Sequence, residues 1–76
     1  MRKSLRTAGH SALVTLLRAE RRRLGLTQQQ IADRLGLPQS FVAKYEGGER
    51  RIDVLEFIRI AKALDADPVR LLNHLL

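Results

Sequence analysis

The stretch TQQQIADRLGLPQSFVAKYEGG, Thr27 to Gly48, reads as two short helices joined by a tight turn. Thr27, with Gln30 three residues on, forms a capping-box start in which a hydroxyl and an amide reciprocally satisfy first-turn N–H groups. Ile31, Ala32 and Leu35 then supply one apolar face before Gly36 stops the helix, which predicts a helix over about Gln28 to Leu35. Gly36 stands where the chain must reverse, a position where positive φ is easy only for glycine, and Pro38 presets φ near the start of the next segment. A second helix is predicted from Gln39 to about Glu46, closed by Gly47 and Gly48.

At about 100° per residue, Gln39, Ser40, Ala43 and Lys44 share one side of that second helix, and Phe41, Val42 and Tyr45 take the other. One face is built to pack and the other to touch a partner. Ala32, small and at mid-helix, lets the two helices approach closely, with Val42 best placed to fill the contact.

These residues resemble the helix-turn-helix of the lambda-repressor-like (XRE or Cro) DNA-binding family. Gln28, Ile31, Ala32, Leu35, Gly36, Leu37, Val42, Tyr45, Glu46 and the glycine pair carry the resemblance, which extends back to Arg21 and forward to about Leu72. It implies an all-α, five-helix domain in which helices 2 and 3 form the helix-turn-helix and helix 39–46 enters the major groove of double-stranded DNA. It further implies that Thr27 and Gln28 lie over a phosphate, that Arg50 and Arg51 in the following loop run beside the DNA backbone, and that Arg21 pairs with Glu46. The family usually has Ser or Thr where this chain has Pro38, so the second helix is expected to lack a side-chain cap.

The chemistry of the exposed face suits base reading. Gln39 can accept and donate one hydrogen bond each to an adenine edge, and Ser40 can meet a base or a phosphate. Ala43 offers a methyl group, and Lys44 reaches guanine or a phosphate. Two half-sites about one helical turn apart are the common target of such domains, so a homodimer on an inverted repeat is the leading expectation, with repression as its effect. An antitoxin-like module with a protein partner and autoregulatory DNA binding is one alternative. A non-specific DNA or RNA binder is another.

Seventy-six residues suffice for one modest core. There is no cysteine, which removes disulfides and cysteine-ligated zinc. No apolar run approaches a membrane span and no signal-like core is present, so a soluble cytoplasmic protein without membrane contact is expected. The net charge of +6 is uneven: residues 1–25 hold seven basic side chains against Glu20, whereas the remainder balances seven against seven. Such an excess attracts any polyanion and names none.

Residues 1–9 show no periodicity and read as a flexible basic arm, either a solvated start or a strand laid along phosphates, ahead of a domain over 10–76. His10 is expected on the surface. Ser11 is the expected cap of a first helix reaching about Leu24, with Leu13, Leu16, Leu17 and Leu24 as its buried stripe and Gly25 as its stop. Arg21 falls on or near that stripe and needs a partner; Glu46, a carboxylate in a helix's last turn, sits at the wrong end of the macrodipole. Asp53 with Glu56 opens another helix to about Leu64, lined by Leu55, Ile58, Ala61 and Leu64 and widened by Val54, Phe57 and Ile60. Asp67 and Pro68 start a last helix bearing Val69, Leu71, Leu72, Leu75 and Leu76. Its apolar surface suits either core closure or a homodimer through this C-terminal helix.

Enzyme chemistry has no foothold. The two histidines lie far apart, and Asp67 is accounted for as a cap. No phosphate-cradling glycine loop or zinc spacing appears. No catalytic residues, metal, cofactor or small-molecule ligand are therefore expected.

Overall fold

A computed structural model describes residues 7–76 as five helices: α1 Ala8–Arg23, α2 Gln28–Leu35, α3 Gln39–Glu46, α4 Val54–Ala63 and α5 Pro68–Asn73. The described residues contain no strand. The all-α, five-helix expectation is met, with α2 and α3 as the helix-turn-helix pair.

The local signals act where they stand in the chain. The Thr27 hydroxyl accepts from the Gln30 N–H at 3.0 Å while the Gln30 side-chain oxygen accepts from the Thr27 N–H at 2.8 Å, closing the capping box of α2. Gly36 ends the helix at φ 70°, and the Leu37 N–H returns to the Ala32 carbonyl. α3 starts behind Pro38 with no side-chain cap, as the missing Ser or Thr implies. Asp53 and Glu56 form the second capping box at the head of α4. The Asp67 carboxylate accepts from the Val69 N–H to start α5.

α1 departs from expectation at its start. Thr7, not Ser11, is the cap: its hydroxyl accepts from the His10 N–H, and the Ser11 N–H already makes a helical bond to the Thr7 carbonyl. Either residue type caps well, and an earlier start adds a turn of helix that buries more of the chain. Of the expected basic arm, residues 1–6 lie outside the described residues, while Thr7 to Gly9 are the cap and first turn of α1. The helix closes with Gly25 at φ 72°, donating to the Arg22 carbonyl while Leu26 donates to Arg21, a Schellman pair of bonds.

The core gathers Leu17 from α1, Ile31, Ala32 and Leu35 from α2, and Val42 and Tyr45 from α3. Phe57, Ile60, Ala61 and Leu64 join them from α4 and its end, and Leu71 from α5. Each large side chain buried this way contributes about 1.5–3 kcal/mol. The expected α1 stripe is partly shifted: Val14 and Leu17 are buried, whereas Leu13, Leu16 and Leu24 pack at the margin. On α4, Leu55 is not a core residue. Leu55 lies two residues before the buried Phe57, about 200° round the helix from it, and it and Val54, both in the first turn, are 73% and 72% exposed.

Two arginines close helix ends that would otherwise strand carbonyls. Arg34 of α2 donates to the Ala63 carbonyl at 2.8 Å, and Arg59 of α4 donates to the Leu35 carbonyl at 2.9 Å. α2 and α4 thus cap each other. Glu20 lies within 3.0 Å of Arg23 and 3.6 Å of Arg70, tying the end of α1 to α5.

His10 corrects the surface assignment. It is buried, and its Nε2 atom has no hydrogen-bond partner among the described residues. A histidine four positions before Val14 lies on the buried face once the helix begins at Ala8. Burial lowers its basicity and the Arg51 charge adds to this, against a smaller opposite pull from the Arg50 carbonyl. The neutral imidazole is therefore the folded form, and the stability it carries is complete above the ordinary value of 6.5 and lost as pH falls below it. Thermal melts between pH 8 and 5 are expected to show a falling Tm that flattens in His10→Gln; equal slopes for both proteins would reject this role for His10.

Candidate nucleic-acid interface

α3 turns its apolar residues inward, Val42 and Tyr45 being at most 1% exposed. Phe41 packs edge-on against Tyr45 at 5.5 Å between ring centres. That anchorage leaves Gln39, Ser40 and Lys44 exposed and Ala43 half-buried on the opposite side. The four residues expected to share an outward face do share it.

Behind this face lies a buried ion pair. The Arg21 Nε and Nη2 atoms donate to the two Glu46 carboxylate oxygens at 2.7 and 2.9 Å, and Arg21 Nη1 donates to the Leu26 carbonyl. Glu46 is 3% exposed. Burial pushes its carboxyl upward, but hydrogen bonds from Arg21 and Gln28 and the charges of Arg21 and Arg18 outweigh it and hold the group below its ordinary range. Arg18, which sequence reasoning passed over, donates to the Glu46 backbone carbonyl at the end of α3. Its one signal was position: three residues before Arg21, it falls on the same side of α1.

The ion pair reaches the exposed face through two amides. Gln28 Nε2 donates to Glu46 Oε1 at 3.0 Å, and Gln28 Oε1 accepts from Gln39 Nε2 at 2.7 Å. A carboxylate only accepts, so the Gln28 amide must present its NH2 to Glu46 and its oxygen to Gln39. Gln39 must then present NH2 to Gln28, which leaves its oxygen and one N–H free. Adenine shows a donor at N6 and an acceptor at N7 in the major groove, the complement of that free pair.

The expected backbone-contacting residues divide. Thr27 and Gln28 stand at the first turn of α2, where the N–H groups of Gln28 and Gln29 precede the first helical bond and the helix dipole favours an anion. Arg51 is exposed and, like Lys44 and Arg22, makes no ion pair with a described residue. Arg50, expected at a phosphate, instead turns its fork onto Glu56 at 2.9 and 2.7 Å and lies 4.6 Å over the Phe41 ring. Hydrogen bonds from Arg50 and from the Asp53 backbone hold the Glu56 carboxyl at about 2.

No helix among the described residues is long and apolar enough to cross a membrane, and no cluster of His, Cys, Asp or Glu among them is arranged to hold a metal ion. A short recognition helix braced by a second helix, with a polar outer face, defines a helix-turn-helix DNA-binding domain. A model of the helix-turn-helix family matches residues 17–71. An uncharacterized HTH-type transcriptional regulator of Methanothermobacter thermautotrophicus is 34% identical over 55 residues, 72% of this chain and 80% of that protein. The chain belongs to the XRE-type helix-turn-helix family of DNA-binding transcriptional regulators, which are not enzymes.

Solved structures agree. An XRE-family like protein from Pseudomonas syringae pv. tomato superposes with a TM-score of 0.86 at 47% identity, over 90% of this chain and 83% of that one. The restriction-modification controller protein C.AhdI from Aeromonas hydrophila matches with a TM-score of 0.78 at 32% identity, over 86% and 98% of the two chains. At 20% identity, the controller protein C.Esp1396I, solved as a tetramer on its natural 35 base-pair operator, shares the fold with a TM-score of 0.85 over 92% of each chain.

Proposed function

We propose that this domain is a sequence-specific repressor that reads duplex DNA with α3 in the major groove, acting in the cytoplasm as a homodimer on an inverted repeat. The observation that carries the reading is the fixed polarity of Gln39, whose free oxygen and N–H match an adenine edge. Ser40, Ala43 and Lys44 read the adjoining positions. Thr27, Gln28 and Arg51 hold the DNA backbone, setting register while Gln39 sets sequence. The likeness to C.AhdI, a restriction-modification controller protein, supports a regulatory role.

Two apolar regions support a second copy as partner. Val54 and Leu55 at the head of α4 and Val69, Leu72 and Leu76 at the C-terminal end are exposed. Leu13, Ile52, Val54, Phe57, Leu72 and Leu75 line a groove between them. A two-fold dimer through α5 covers this surface and presents two copies of α3 to successive major grooves.

Selection of bound duplexes from a random pool is the direct test, and a palindromic consensus containing an adenine in each half-site is expected. Gln39→Ala is expected to relax that position, with a loss of about 1–3 kcal/mol of discrimination per half-site. If Gln39→Ala and Lys44→Ala bind the selected duplex as the parent does, while substitution of Arg22 and Arg23 abolishes binding, the specific-reader assignment is wrong.

A further inference from the structure

We infer that Arg50 is a positioning residue for DNA reading and not a phosphate contact: it locks the α3–α4 connection against α3, and so sets where Arg51 presents its charge. The inference rests on the DNA-reading function proposed above and extends it to a side chain that touches no DNA.

The connection from Gly47 to Asp53 rests on the core through the half-buried Ile52, but its backbone N–H bonds to the rest of the fold end early. Gly48 takes φ 77°, and the Glu49 N–H makes the last backbone bond to α3, at the Lys44 carbonyl. The N–H groups of Arg50, Arg51 and Ile52 donate to no described backbone carbonyl. The Arg50 side chain supplies what the backbone lacks. Its Nη1 donates to the Arg51 carbonyl at 2.9 Å and to Glu56 Oε1 at 2.9 Å, and its Nη2 donates to Glu56 Oε2 at 2.7 Å. The guanidinium carbon lies over the ring of Phe41, which belongs to α3 and packs on Tyr45. One side chain thus joins the recognition helix, the peptide that carries Arg51 and the first turn of α4.

The same geometry disfavours phosphate contact. Three of five donor hydrogens are taken, the guanidinium carbon sits 4.6 Å from the centre of the Phe41 ring, and the charge is balanced by Glu56. Glu56 is itself pinned, because its Oε1 also accepts from the Asp53 N–H at 3.0 Å in the α4 capping box. Arg51, the neighbouring residue, keeps its charge unpaired among the described residues and faces solvent. Lysine in place of Arg50 keeps the charge but supplies neither the two-pronged bond nor the guanidinium over the ring. Charge and position are therefore separable by substitution.

The test measures binding of a short random-sequence duplex and of a duplex selected from a random pool across a salt series, by fluorescence anisotropy. The proteins are the parent, Arg50→Lys, Arg50→Met, Glu56→Gln and Arg51→Ala, each confirmed as folded by thermal melt; Glu56→Gln retains a capping-box residue. Arg51→Ala is expected to reduce the slope of log K against log salt by about 0.9 on both duplexes. The two Arg50 variants and Glu56→Gln are expected to keep the parental slope on the random duplex and to lose roughly tenfold affinity for the selected one. A parental result for Arg50→Lys, with a lost unit of slope in Arg50→Met, overturns the inference. So does tighter binding of both duplexes by Glu56→Gln, which would mean that freeing Arg50 from Glu56 releases a phosphate contact. The reading beneath fails differently: no duplex is selected, or Arg51→Ala and Gln39→Ala bind as the parent does.

Discussion

Arg21→Ala and Glu46→Ala are each expected to destabilise the domain by about 3–5 kcal/mol, because either change leaves its former partner charged and out of water. A protein of this length has a total stability of roughly 4–11 kcal/mol at 0.05–0.15 kcal/mol per residue, so a single substitution removes a large share of it. With each kcal/mol moving Tm by about 4–8 °C in a domain of this size, melting is expected to drop by tens of degrees. The double variant is expected to lose much less than the two single losses combined, since it buries no unpaired charge. Additive losses would mean that the two side chains do not act as a pair. The acid response has a defined sign: Glu46 is held below its ordinary value of 4.5, so its contribution is complete above that pH and is lost as pH falls below it. Glu46→Gln separates stability from reading. An amide at 46 can offer NH2 to Gln28, which reverses Gln28 and then Gln39, so the adenine preference is expected to weaken in molecules that remain folded.

The elements that decide the fold were legible because their signals are short-range. Thr27 with Gln30, Asp53 with Glu56, and Asp67 before Pro68 each act within a single helical turn, and the corresponding starts of α2, α4 and α5 appear where these residues stand. The Arg21–Glu46 pair spans 25 residues yet was also readable, since each charge sat where a lone charge is unfavourable and the family resemblance joined them. What escaped reading depends on three-dimensional neighbours. Thr7 and Ser11 are equally good caps in isolation, and the choice between them turns His10 from a surface residue into a buried one. Arg50 and Arg51 are identical side chains side by side in the chain. Only the placement of Glu56 and Phe41 gives one an internal partner and leaves the other facing outward. The amide relay from Glu46 through Gln28 to Gln39 crosses two helices, and no pattern along one helix encodes it.

Ala32→Glu is expected to abolish folding, and Ala32→Leu to leave a folded protein that reads DNA poorly. Ala32 is fully buried in α2, in the core cluster that also holds Val42 and Tyr45 of α3, and its carbonyl accepts the Leu37 bond that shapes the turn. A carboxylate placed there carries an effective penalty of several kcal/mol with no partner provided, comparable to the whole stability of the domain. Leucine brings no charge but too much volume, for which overpacking costs about 1–3 kcal/mol. The two helices must separate to admit it, and the 2.7 Å bond between Gln28 and Gln39 spans the same pair of helices. Ala32→Leu is thus expected to lose preference for a selected duplex while retaining its affinity for random sequence, since Arg51 and the α2 N-terminus remain to bind phosphates. Circular dichroism and paired titrations would check both variants. A folded Ala32→Glu, or an Ala32→Leu with undiminished selectivity, would show that the crossing tolerates a gap and that α3 is held by contacts other than this one.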